Sequence, residues 1–273
     1  MVKISHECPW SLMKKAREEY NDYDYCLVHL LEEKKQYMDF FVESKKMGRR
    51  ILLDNSIFEL GTAFDPDRFA SWIEWLKPDE YFMPDVLEDC NATIANAEDW
   101  FVHYSKLPGK KIGVVQGKTY SELVECYRFM SKMADKIAIS FDYDYYKTTG
   151  LGHNEWQKCA SGRQHFIFRL LAEEIWNYEK PHHLLGVAVP QEFKFYSKFW
   201  SSANIETLDT SNPIQQAMLG HKYTEDGLIS KDTTKVADSF KARYNKEQLK
   251  RIELNVKMFR QFCKEEVDGF NFY

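Results

Sequence analysis

Short apolar runs alternate with amphipathic segments along most of this chain. The amphipathic segments carry apolar residues at helical spacing; after the helix-starting pair Asp65-Pro66, for example, Phe69, Ile73 and Leu76 fall on one face. Such an alternation predicts parallel strands joined by helical crossovers. Seven runs are predicted as strands: 25–31, 50–54, 81–87, 111–116, 136–142, 183–189 and 205–209.

The number of strand–helix units favours an α/β fold of the (β/α)8 TIM-barrel type. Seven units are clear and an eighth is doubtful, with Leu228 and Ile229 as its candidate before a last helix predicted over 245–266. An open doubly wound sheet is the alternative, but no GxGxxG follows the first strand and no GxxxxGK[ST] occurs. Because no linker or composition break divides the chain, residues 1–273 are predicted to form a single barrel domain.

The composition is that of an ordinary soluble globular protein. Hydrophobic residues make up 44% and charged residues 29% of the chain. No apolar run approaches the ~20 residues that span a bilayer, and the N-terminus lacks the apolar segment of a secretion signal. Six scattered cysteines, with no CxC or CxxC pair, favour reduced thiols over disulfides or a cysteine zinc site. We therefore expect a cytoplasmic protein without a membrane partner.

Charge is unevenly distributed along the chain, whose net charge is −5. The C-terminal helical segment, about 235–273, is basic by contrast, with nine Lys and Arg against three Asp and Glu between positions 235 and 264. Its predicted helix includes Lys246, Lys250 and Arg251. Such an asymmetry is typical of a phosphate-binding face. A solvated helix surface is the equally open alternative.

Polar side chains able to do chemistry lie at the ends of five predicted strands. They are Asp54, Asp85, Gln116, Asp142 and Asp209. In a barrel the carboxyl ends of the strands meet at one face, where active sites lie, so these side chains are expected to converge. An aspartate after a strand is often only a helix cap or a turn residue. Five polar ends on five strands nevertheless favour a chemical role for at least two of them.

Carboxylates that face a pocket are suited to cleavage at an anomeric carbon. One carboxylate attacks and holds a covalent sugar intermediate, and another gives a proton to the leaving group and takes one from the acceptor. No HExxH and no cluster of His and carboxylates at ligand spacing occurs, so neither a metal nor another cofactor is expected. His182, His183 and His221 are predicted to be packing or substrate-loop residues rather than metal ligands.

Four segments match, in order, the motifs of one enzyme superfamily. LLDNSIF at 52–58 is similar to a TDSGGFQ-type stretch, PDVLEDC at 84–90 to a purine-reading segment, and IGVVQG at 112–117 to GIVQG. KPHHLLGVAVP at 180–190, with LDT at 208–210, is similar to a "kPhylmGvg.p" strand and the nucleophile segment that follows it. On these segments the chain resembles the queuine/archaeosine tRNA-guanine transglycosylase superfamily, (β/α)8 barrels that exchange guanine for a 7-deazaguanine.

The resemblance implies roles for particular residues. Asp209 would be the nucleophile that carries a covalent glycosyl intermediate, and Asp54 would be the general acid/base. Either Asp89, which matches the motif better, or Asp85, which lies closer to a strand end, would bind the guanine edge. Gln116 would contact the base.

The chain also departs from the superfamily. Members that act on tRNA carry a Cys/His zinc site after the nucleophile, and this chain has none. A GGLAVGE-like strand is replaced by residues 138–143, where Ser140 and Asp142 are assigned to substrate binding, as is Gly186 of the fourth segment. The short chain and the missing zinc site resemble the DNA-acting, phage-type branch. The implied reaction is exchange of guanine in DNA for a 7-deazaguanine such as 7-cyano-7-deazaguanine, in the host cytoplasm if the protein is phage-encoded.

The implied partners are DNA, or alternatively tRNA, and a 7-deazaguanine base. The target nucleotide is expected to be flipped out or single-stranded. Its phosphates would bind Lys246, Lys250 and Arg251, and bases would stack on a long loop predicted over 143–160. The aromatic residues of that loop are Tyr143, Tyr145, Tyr146 and Trp156.

Three rival functions remain open, and one geometric expectation bears on them. The rivals are a tRNA-acting transglycosylase, a non-catalytic nucleic-acid-binding barrel and an unrelated barrel hydrolase of small glycosides. For the transglycosylase, Asp54 and Asp209 are predicted to face the same cavity.

Overall fold

The computed structural model describes residues 2–232 and 240–264. Its strands are β1 (Lys3–His6), β2 (Asp24–Leu27), β3 (Ile51–Asp54), β4 (Glu80–Phe82), β5 (Lys110–Val115), β6 (Lys136–Ile139), β7 (His182–Leu184) and β8 (Ile205–Thr210). They form one sheet in the order β1-β8-β7-β6-β5-β4-β3-β2, and every pair with a defined register is parallel. Helices alternate with the strands, so the predicted α/β class and (β/α)8 arrangement are confirmed.

The helices of the described residues follow the alternation expected from the sequence. They are α1 (Trp10–Lys15), continued by a π-helical turn (Ala16–Tyr20), α2 (Val28–Glu33), α3 (Lys35–Lys46), α4 (Ile57–Leu60), α5 (Pro66–Leu76), α6 (Cys90–Tyr104), α7 (Tyr120–Met133), α8 (Asp144–Thr149), α9 (Glu155–Ala172), a 3₁₀ turn (Pro190–Glu192), α10 (Phe193–Tyr196), α11 (Asn212–Met218) and α12 (Lys246–Phe262).

By its internal contacts the chain divides into two compact units. One unit combines residues 1–22 with 140–273 and holds β1, β7, β8, α1 and α8–α12. The other unit comprises residues 23–139 and holds β2–β6 with α2–α7. The single barrel domain over 1–273 stays a prediction.

In the 23–139 unit, helix α5 illustrates how local signals place an element. The Asp65 side chain caps the helix by accepting a hydrogen bond from the backbone N–H of Arg68, which satisfies one of the unpaired donors at a helix start. Phe69 on the buried face packs against Tyr81 and Trp100 with ring centroids 6.2 and 5.7 Å apart. The predicted helix start at Asp65-Pro66 is therefore confirmed.

In the other unit, aromatic side chains form much of the core. Phe193 packs against Tyr196, Trp200 and Phe259, with ring centroids between 5.2 and 5.9 Å apart. Phe259 belongs to α12, which begins at a reciprocal cap between Asn245 and the third residue of the helix. Packing of this kind holds α12 against the 3₁₀ turn and α10.

The eighth strand is not where the sequence suggested. Leu228 and Ile229 lie outside any strand, and the missing strand is β1, at the N-terminal end of the chain. β1 consists of Lys3-Ile-Ser-His, so only Ile4 gives it an apolar signal. Ser5 and His6 are nevertheless buried. Parallel pairing with β8 satisfies the backbone hydrogen bonds of β1, and the weak hydrophobic pattern did not reveal this pairing.

The prediction of a long loop over 143–160 is also wrong, because α8 and the start of α9 occupy most of this segment. Tyr143, Tyr145 and Tyr146 are buried, and the Tyr146 ring lies 6.0 Å from that of Phe166 in α9. These three tyrosines therefore pack the interior and present no stacking platform. Trp156 lies on the first turn of α9 and is half-buried.

Several strands end earlier than their apolar runs. The run 25–31 turns into helix α2 at Val28, and the runs 81–87, 136–142 and 183–189 leave the sheet after Phe82, Ile139 and Leu184. After β4 burial continues through Asp85, whereas Ser140 and Asp142 after β6 are half-buried. The polar residues of the last three runs accordingly lie in loops just past the strands.

Two further findings concern the described residues as a whole. None of their helices combines the length and the apolar character needed to cross a membrane. All six cysteines are free and buried.

Candidate active site

Asp209 is the next-to-last residue of β8, and only 3% of it is exposed. Its register partner is Ser5 of β1. Alternate residues of a strand share a face, so Thr207 lies on the same side of β8 as Asp209. A short buried strand thus fixes the backbone of both residues.

His183 of β7 connects these two side chains and is fully buried. Its Nδ1 lies 2.9 Å from Thr207 Oγ1, and its Nε2 lies 2.9 Å from Asp209 Oδ1. The register pairs His183 with Thr207, so the ring extends along the sheet to reach the carboxylate. Because an ionised carboxylate only accepts hydrogen bonds, Nε2 carries the hydrogen in this contact. In a neutral ring, Nδ1 then accepts from the threonine hydroxyl.

The loop after β7 brings a second donor to the same oxygen. The backbone N–H of Gly186 points to Asp209 Oδ1 across 3.4 Å. Gly186 has φ +60°, and a Cβ at this position would lie 2.4 Å from the Phe141 ring. Glycine is therefore needed both for the backbone conformation and for the space. We call His183, Gly186, Thr207 and Asp209 the Asp209 cluster.

Both donors of this cluster engage Oδ1. Within the described residues no hydrogen bond reaches Oδ2 of Asp209. A carboxylate held at one oxygen and unengaged at the other has the form of an oriented nucleophile. The geometry is therefore compatible with attack through Oδ2 while Oδ1 stays fixed.

Asp85 belongs to a second buried polar group, in the 23–139 unit, and is 2% exposed. Its Oδ1 accepts from Asn55 Nδ2 at 2.7 Å, and its Oδ2 accepts from Gln116 Nε2 at 2.6 Å. Burial raises the pKa of the Asp85 carboxyl, and the two amide donors only partly offset this. We call Asn55, Asp85 and Gln116 the Asp85 cluster.

The orientation of both amides in this cluster is fixed by further contacts. Asn55 Oδ1 accepts from the backbone N–H of Ile57 at 3.0 Å, and Gln116 Oε1 accepts from the backbone N–H of Glu88 at 2.8 Å. Each amide therefore turns its NH₂ group toward Asp85. Since the two carboxylate oxygens together offer about four acceptor positions, Asp85 keeps acceptor capacity for further donors. The arrangement suits a ligand edge that carries two adjacent N–H groups.

Asp54 is the last residue of β3 and is half-buried. Tyr25 Oη donates to its Oδ2 at 2.6 Å, and the backbone N–H of Ser56 donates to its Oδ1. Asp54 pairs with Leu27 in the sheet, and Tyr25 lies two residues earlier on the same face. Asn55 of the Asp85 cluster follows Asp54 directly, so the end of β3 supplies both Asp54 and a member of the Asp85 cluster.

The other predicted substrate residues have different surroundings. Asp89 is exposed and caps α6, where its side chain accepts from the backbone N–H of Ala92 at 2.9 Å. Asp142 lies 3.1 Å from the Lys147 ammonium. Ser140 follows β6 directly and is half-buried. The prediction that Asp54 and Asp209 face one cavity stays a prediction.

The basic residues at the start of α12 differ in what they contact. Lys246 and Lys250 are exposed. Arg251 donates to the Ala217 carbonyl at 3.1 Å and to Glu247 at 2.8 Å, so it also ties α12 to the end of α11. The parts of the basic segment at 235–239 and 265–273 lie outside the described residues.

Four members of these groups were not predicted as site residues. Sequence reasoning assigned His183 to packing or a substrate loop. It did not assign a role to Thr207, Asn55 or Tyr25. A signal existed for Asn55, which stands next to Asp54 in a polar strand end. For His183 and Tyr25 the decisive contact is made across strands and depends on register. Among residues 2–232 and 240–264 no group of three or more His, Cys, Asp or Glu could hold a metal ion.

Comparisons with known proteins give a partial match. No family model matches the chain. Among solved structures it is similar to L-talarate dehydratase from Polaromonas sp. JS666, complexed with Mg and L-glucarate, with a TM-score of 0.42 and 12% identity over 77% of this chain and 50% of that chain. No conclusion follows from a likeness of that size. Among curated proteins, the chain is 26% identical over 128 residues to the queuine tRNA-ribosyltransferase of Rickettsia bellii (strain RML369-C), a match that covers 47% of this chain and 31% of that protein.

Proposed function

We propose that this chain is a guanine transglycosylase that exchanges guanine in DNA for a 7-deazaguanine, such as 7-cyano-7-deazaguanine. The observation that carries the proposal is the state of the Asp209 carboxylate. His183 and Gly186 hold its Oδ1, and no hydrogen bond among the described residues engages its Oδ2. The partial similarity to a queuine tRNA-ribosyltransferase supports the same class of reaction.

The proposed reaction has two half-steps at the sugar C1′. In the first, Asp209 Oδ2 forms a bond to C1′, the C1′–N9 bond breaks, and its electron pair stays with guanine, which takes a proton from Asp54. In the second, the incoming base gives its N9 proton to Asp54, its N9 bonds to C1′, and the C1′–Oδ2 bond breaks. Atoms and charges balance over the cycle, and the covalent ester divides one difficult substitution into two easier ones.

Recognition of the base is assigned to the Asp85 cluster. Guanine presents N1–H and its 2-amino group side by side, and both would donate to the Asp85 carboxylate. The second hydrogen of Gln116 Nε2 would donate to O6. Adenine lacks this donor pair, so it would leave acceptor positions of the buried carboxylate unfilled, at a cost of about 1–3 kcal/mol for each missing hydrogen bond. Asp85 is preferred to Asp89 because Asp89 caps α6.

The choice of DNA as the substrate polymer is supported by the sequence argument and by charge. After Asp209 the chain contains one histidine, His221, and one cysteine, Cys263, so it offers no Cys/His zinc site of the tRNA-acting kind. The exposed Lys246 and Lys250 would bind DNA phosphates. Charge reversal at either lysine should then lower the slope of the salt dependence of DNA binding by about one unit, since one phosphate is no longer neutralised. A flipped-out or single-stranded guanine is required for access to C1′.

One experiment tests both the reaction and the polymer. Labelled 7-cyano-7-deazaguanine is offered to the full chain with duplex DNA, single-stranded DNA or tRNA in parallel, and incorporation is measured. We expect label in DNA with the native protein and none with Asp209→Ala. Incorporation that persists in Asp209→Ala would remove Asp209 as nucleophile.

The second candidate function is exchange in tRNA, and one observation favours it. The curated protein to which the chain is similar is a queuine tRNA-ribosyltransferase. Label found in tRNA and absent from both forms of DNA would establish that alternative over ours.

A further inference from the structure

Helix α9 carries a buried, charged side chain that contacts the loop after β7, the loop whose Gly186 N–H points to Asp209. The guanidinium of Arg163 is fully buried. It forms a two-point ion pair with Glu192, from Nε at 2.7 Å and from one terminal nitrogen at 3.0 Å. Tyr196 Oη donates to the same carboxylate at 2.8 Å. Burial disfavours the charged guanidinium, but the adjacent Glu192 outweighs this effect and the pKa of Arg163 is raised, so Arg163 stays charged.

The remaining donors of Arg163 bind the backbone just after β7. One terminal nitrogen donates to the Leu185 carbonyl at 2.8 Å, and the other donates to the Gly186 carbonyl at 3.1 Å. The Lys231 ammonium donates to the next carbonyl, that of Val187, at 2.8 Å. Three successive carbonyls therefore each accept from a cation. These hydrogen bonds satisfy the buried donors of the guanidinium and fix the backbone on both sides of the Leu185–Gly186 peptide.

The hydrogen bond to Leu185 has an electronic consequence for Asp209. The Leu185 carbonyl and the Gly186 N–H belong to one peptide unit. Arg163 binds the oxygen end of this unit, and Asp209 Oδ1 lies 3.4 Å from its nitrogen end. A hydrogen bond to the carbonyl polarises the peptide and makes its N–H a stronger donor. The 3.4 Å separation lies at the long end of hydrogen-bond distances.

We propose that Arg163, acting through the Leu185–Gly186 peptide, makes Asp209 a good leaving group in the second half of the exchange. The inference rests on the proposed function and deepens it. Arg163 is a positioning residue, since it touches neither substrate nor the reacting oxygen.

The two half-reactions respond oppositely to this peptide. When Asp209 attacks, its negative charge is consumed, so a stronger donor at Oδ1 stabilises the starting carboxylate more than the transition state and does not accelerate this step. When the incoming base displaces it, the C1′–Oδ2 bond breaks, its electron pair returns to the carboxylate, and the negative charge reappears beside the Gly186 N–H. Stabilisation of that charge lowers the barrier to release. Removal of the arginine from the Leu185 carbonyl should therefore trap the glycosyl ester rather than prevent its formation.

The test separates the two half-reactions in Arg163→Lys, since lysine can pair with Glu192 but cannot bind the carboxylate and both carbonyls together. Tyr196→Phe is the matched control, because it alters the same ion pair and leaves the carbonyl hydrogen bonds in place. Each protein is incubated with guanine-containing DNA or tRNA, the covalent adduct is quantified on a denaturing gel, and labelled guanine is then added. In Arg163→Lys we expect adduct formation at least as fast as in the native protein and adduct decay about tenfold slower, the effect of weakening one charge-assisted hydrogen bond. Tyr196→Phe should match the native protein.

A second readout does not require turnover. Labelling with ¹³C-leucine and ¹⁵N-glycine selects the Leu–Gly peptides, which are 60–61, 151–152, 185–186 and 219–220. The Gly186 amide is the signal that moves in Asp209→Asn. Its proton should shift upfield in Arg163→Lys and stay in place in Tyr196→Phe.

The outcomes distinguish the two proposals. Native adduct decay together with an unshifted Gly186 signal in Arg163→Lys overturns the role of Arg163. If the Gly186 signal shifts in Arg163→Lys but the native protein forms no adduct with DNA or tRNA, the peptide hydrogen bond is supported and the proposed function is overturned instead. If Arg163→Lys does not fold, the double variant R163M/E192M replaces the ion pair with side chains of similar size and is judged by the same two measurements.

Discussion

Asp209 and Asp85 are both buried carboxylates just beyond or at the end of a strand, but their hydrogen bonds are distributed differently. Asp209 receives His183 and the Gly186 N–H on one oxygen, and Oδ2 is left without a hydrogen bond from the described residues. Asp85 receives one amide on each oxygen. The first arrangement fixes a carboxylate and leaves one atom to react. The second immobilises both oxygens and leaves their remaining acceptor positions for a ligand.

This difference separates a carboxylate suited to bond formation from one suited to recognition. A nucleophile must approach carbon closely, so donors on its attacking oxygen would have to be displaced first. A recognition group gains from donors on both oxygens, since they fix its plane and discriminate against ligands that lack N–H groups. Variants of the two clusters should therefore fail in different ways, and that contrast can be measured.

The largest effect is expected for Asp209→Asn. The amide keeps the size of the side chain but cannot form the glycosyl ester, so the rate of guanine exchange should fall by roughly 10⁴-fold or more. Binding of free guanine should change little, because the Asp85 cluster is intact. Single-turnover exchange and equilibrium guanine binding check the two halves of this prediction. Exchange within tenfold of the native rate would contradict the nucleophile assignment.

Asp85→Ala should produce the opposite pattern. Removal of the guanine acceptor should lower kcat/KM for exchange by about 10²–10³-fold, chiefly through KM, and adenine should be discriminated against less strongly. Asp89→Ala is the matched control, since it removes the cap of α6 and should cost about 1 kcal/mol of stability with native base selectivity. If Asp89→Ala rather than Asp85→Ala relaxes selectivity, the assignment of the two aspartates is reversed.

His183 allows a finer test of the Asp209 cluster. His183→Leu removes the donor to Oδ1 and should lower kcat by about 10- to 100-fold with KM for guanine unchanged. His183→Gln offers an amide donor in the same region and should recover part of this activity. Steady-state kinetics of the two variants measures these changes in kcat and KM. Equal activity of His183→Leu and the native protein would show that Oδ1 does not need the histidine.

The fold was largely predictable because its signals are local. Apolar runs, the cap at Asp65 and the helical spacing after it each lie within a few residues, and the structure retains them. β1 escaped prediction because it is four residues long with Ile4 as its apolar signal. The segment 143–160 was misjudged since tyrosines buried against α9 are polar in sequence but packed in the structure.

The candidate site likewise combines residues that have a local signal in the sequence with residues that have none. Asp54, Asp85, Gln116 and Asp209 could be predicted as candidates because they close or follow apolar runs. Their partners could not, since interactions such as that of His183 with Asp209 depend on strand register, and a shift of one residue would turn the side chain to the other face. A buried polar residue that a pattern assigns to packing is therefore worth testing against the neighbouring strand.

The smallest effect concerns the pH response of Asp85. Burial raises its pKa above the ordinary value of 3.8, so the native state binds this proton more tightly than the unfolded state does. The stability contributed by Asp85 is thus fully present below about pH 3.8 and is lost as the pH rises through the folded-state pKa. Guanine binding should change in the opposite direction, because only the ionised carboxylate accepts two N–H groups; one pH unit below the pKa, the affinity should be about tenfold lower.

His6 titrates in the same region with the reverse sign, since burial lowers its pKa to about 4 and its contribution to stability is lost as the pH falls below 6.5. Urea unfolding and guanine titration of the native protein and Asp85→Asn between pH 4 and 7 isolate Asp85 by difference. If the difference between the native protein and Asp85→Asn does not change with pH in either measurement, Asp85 does not titrate in this range and its role in recognition does not depend on its charge.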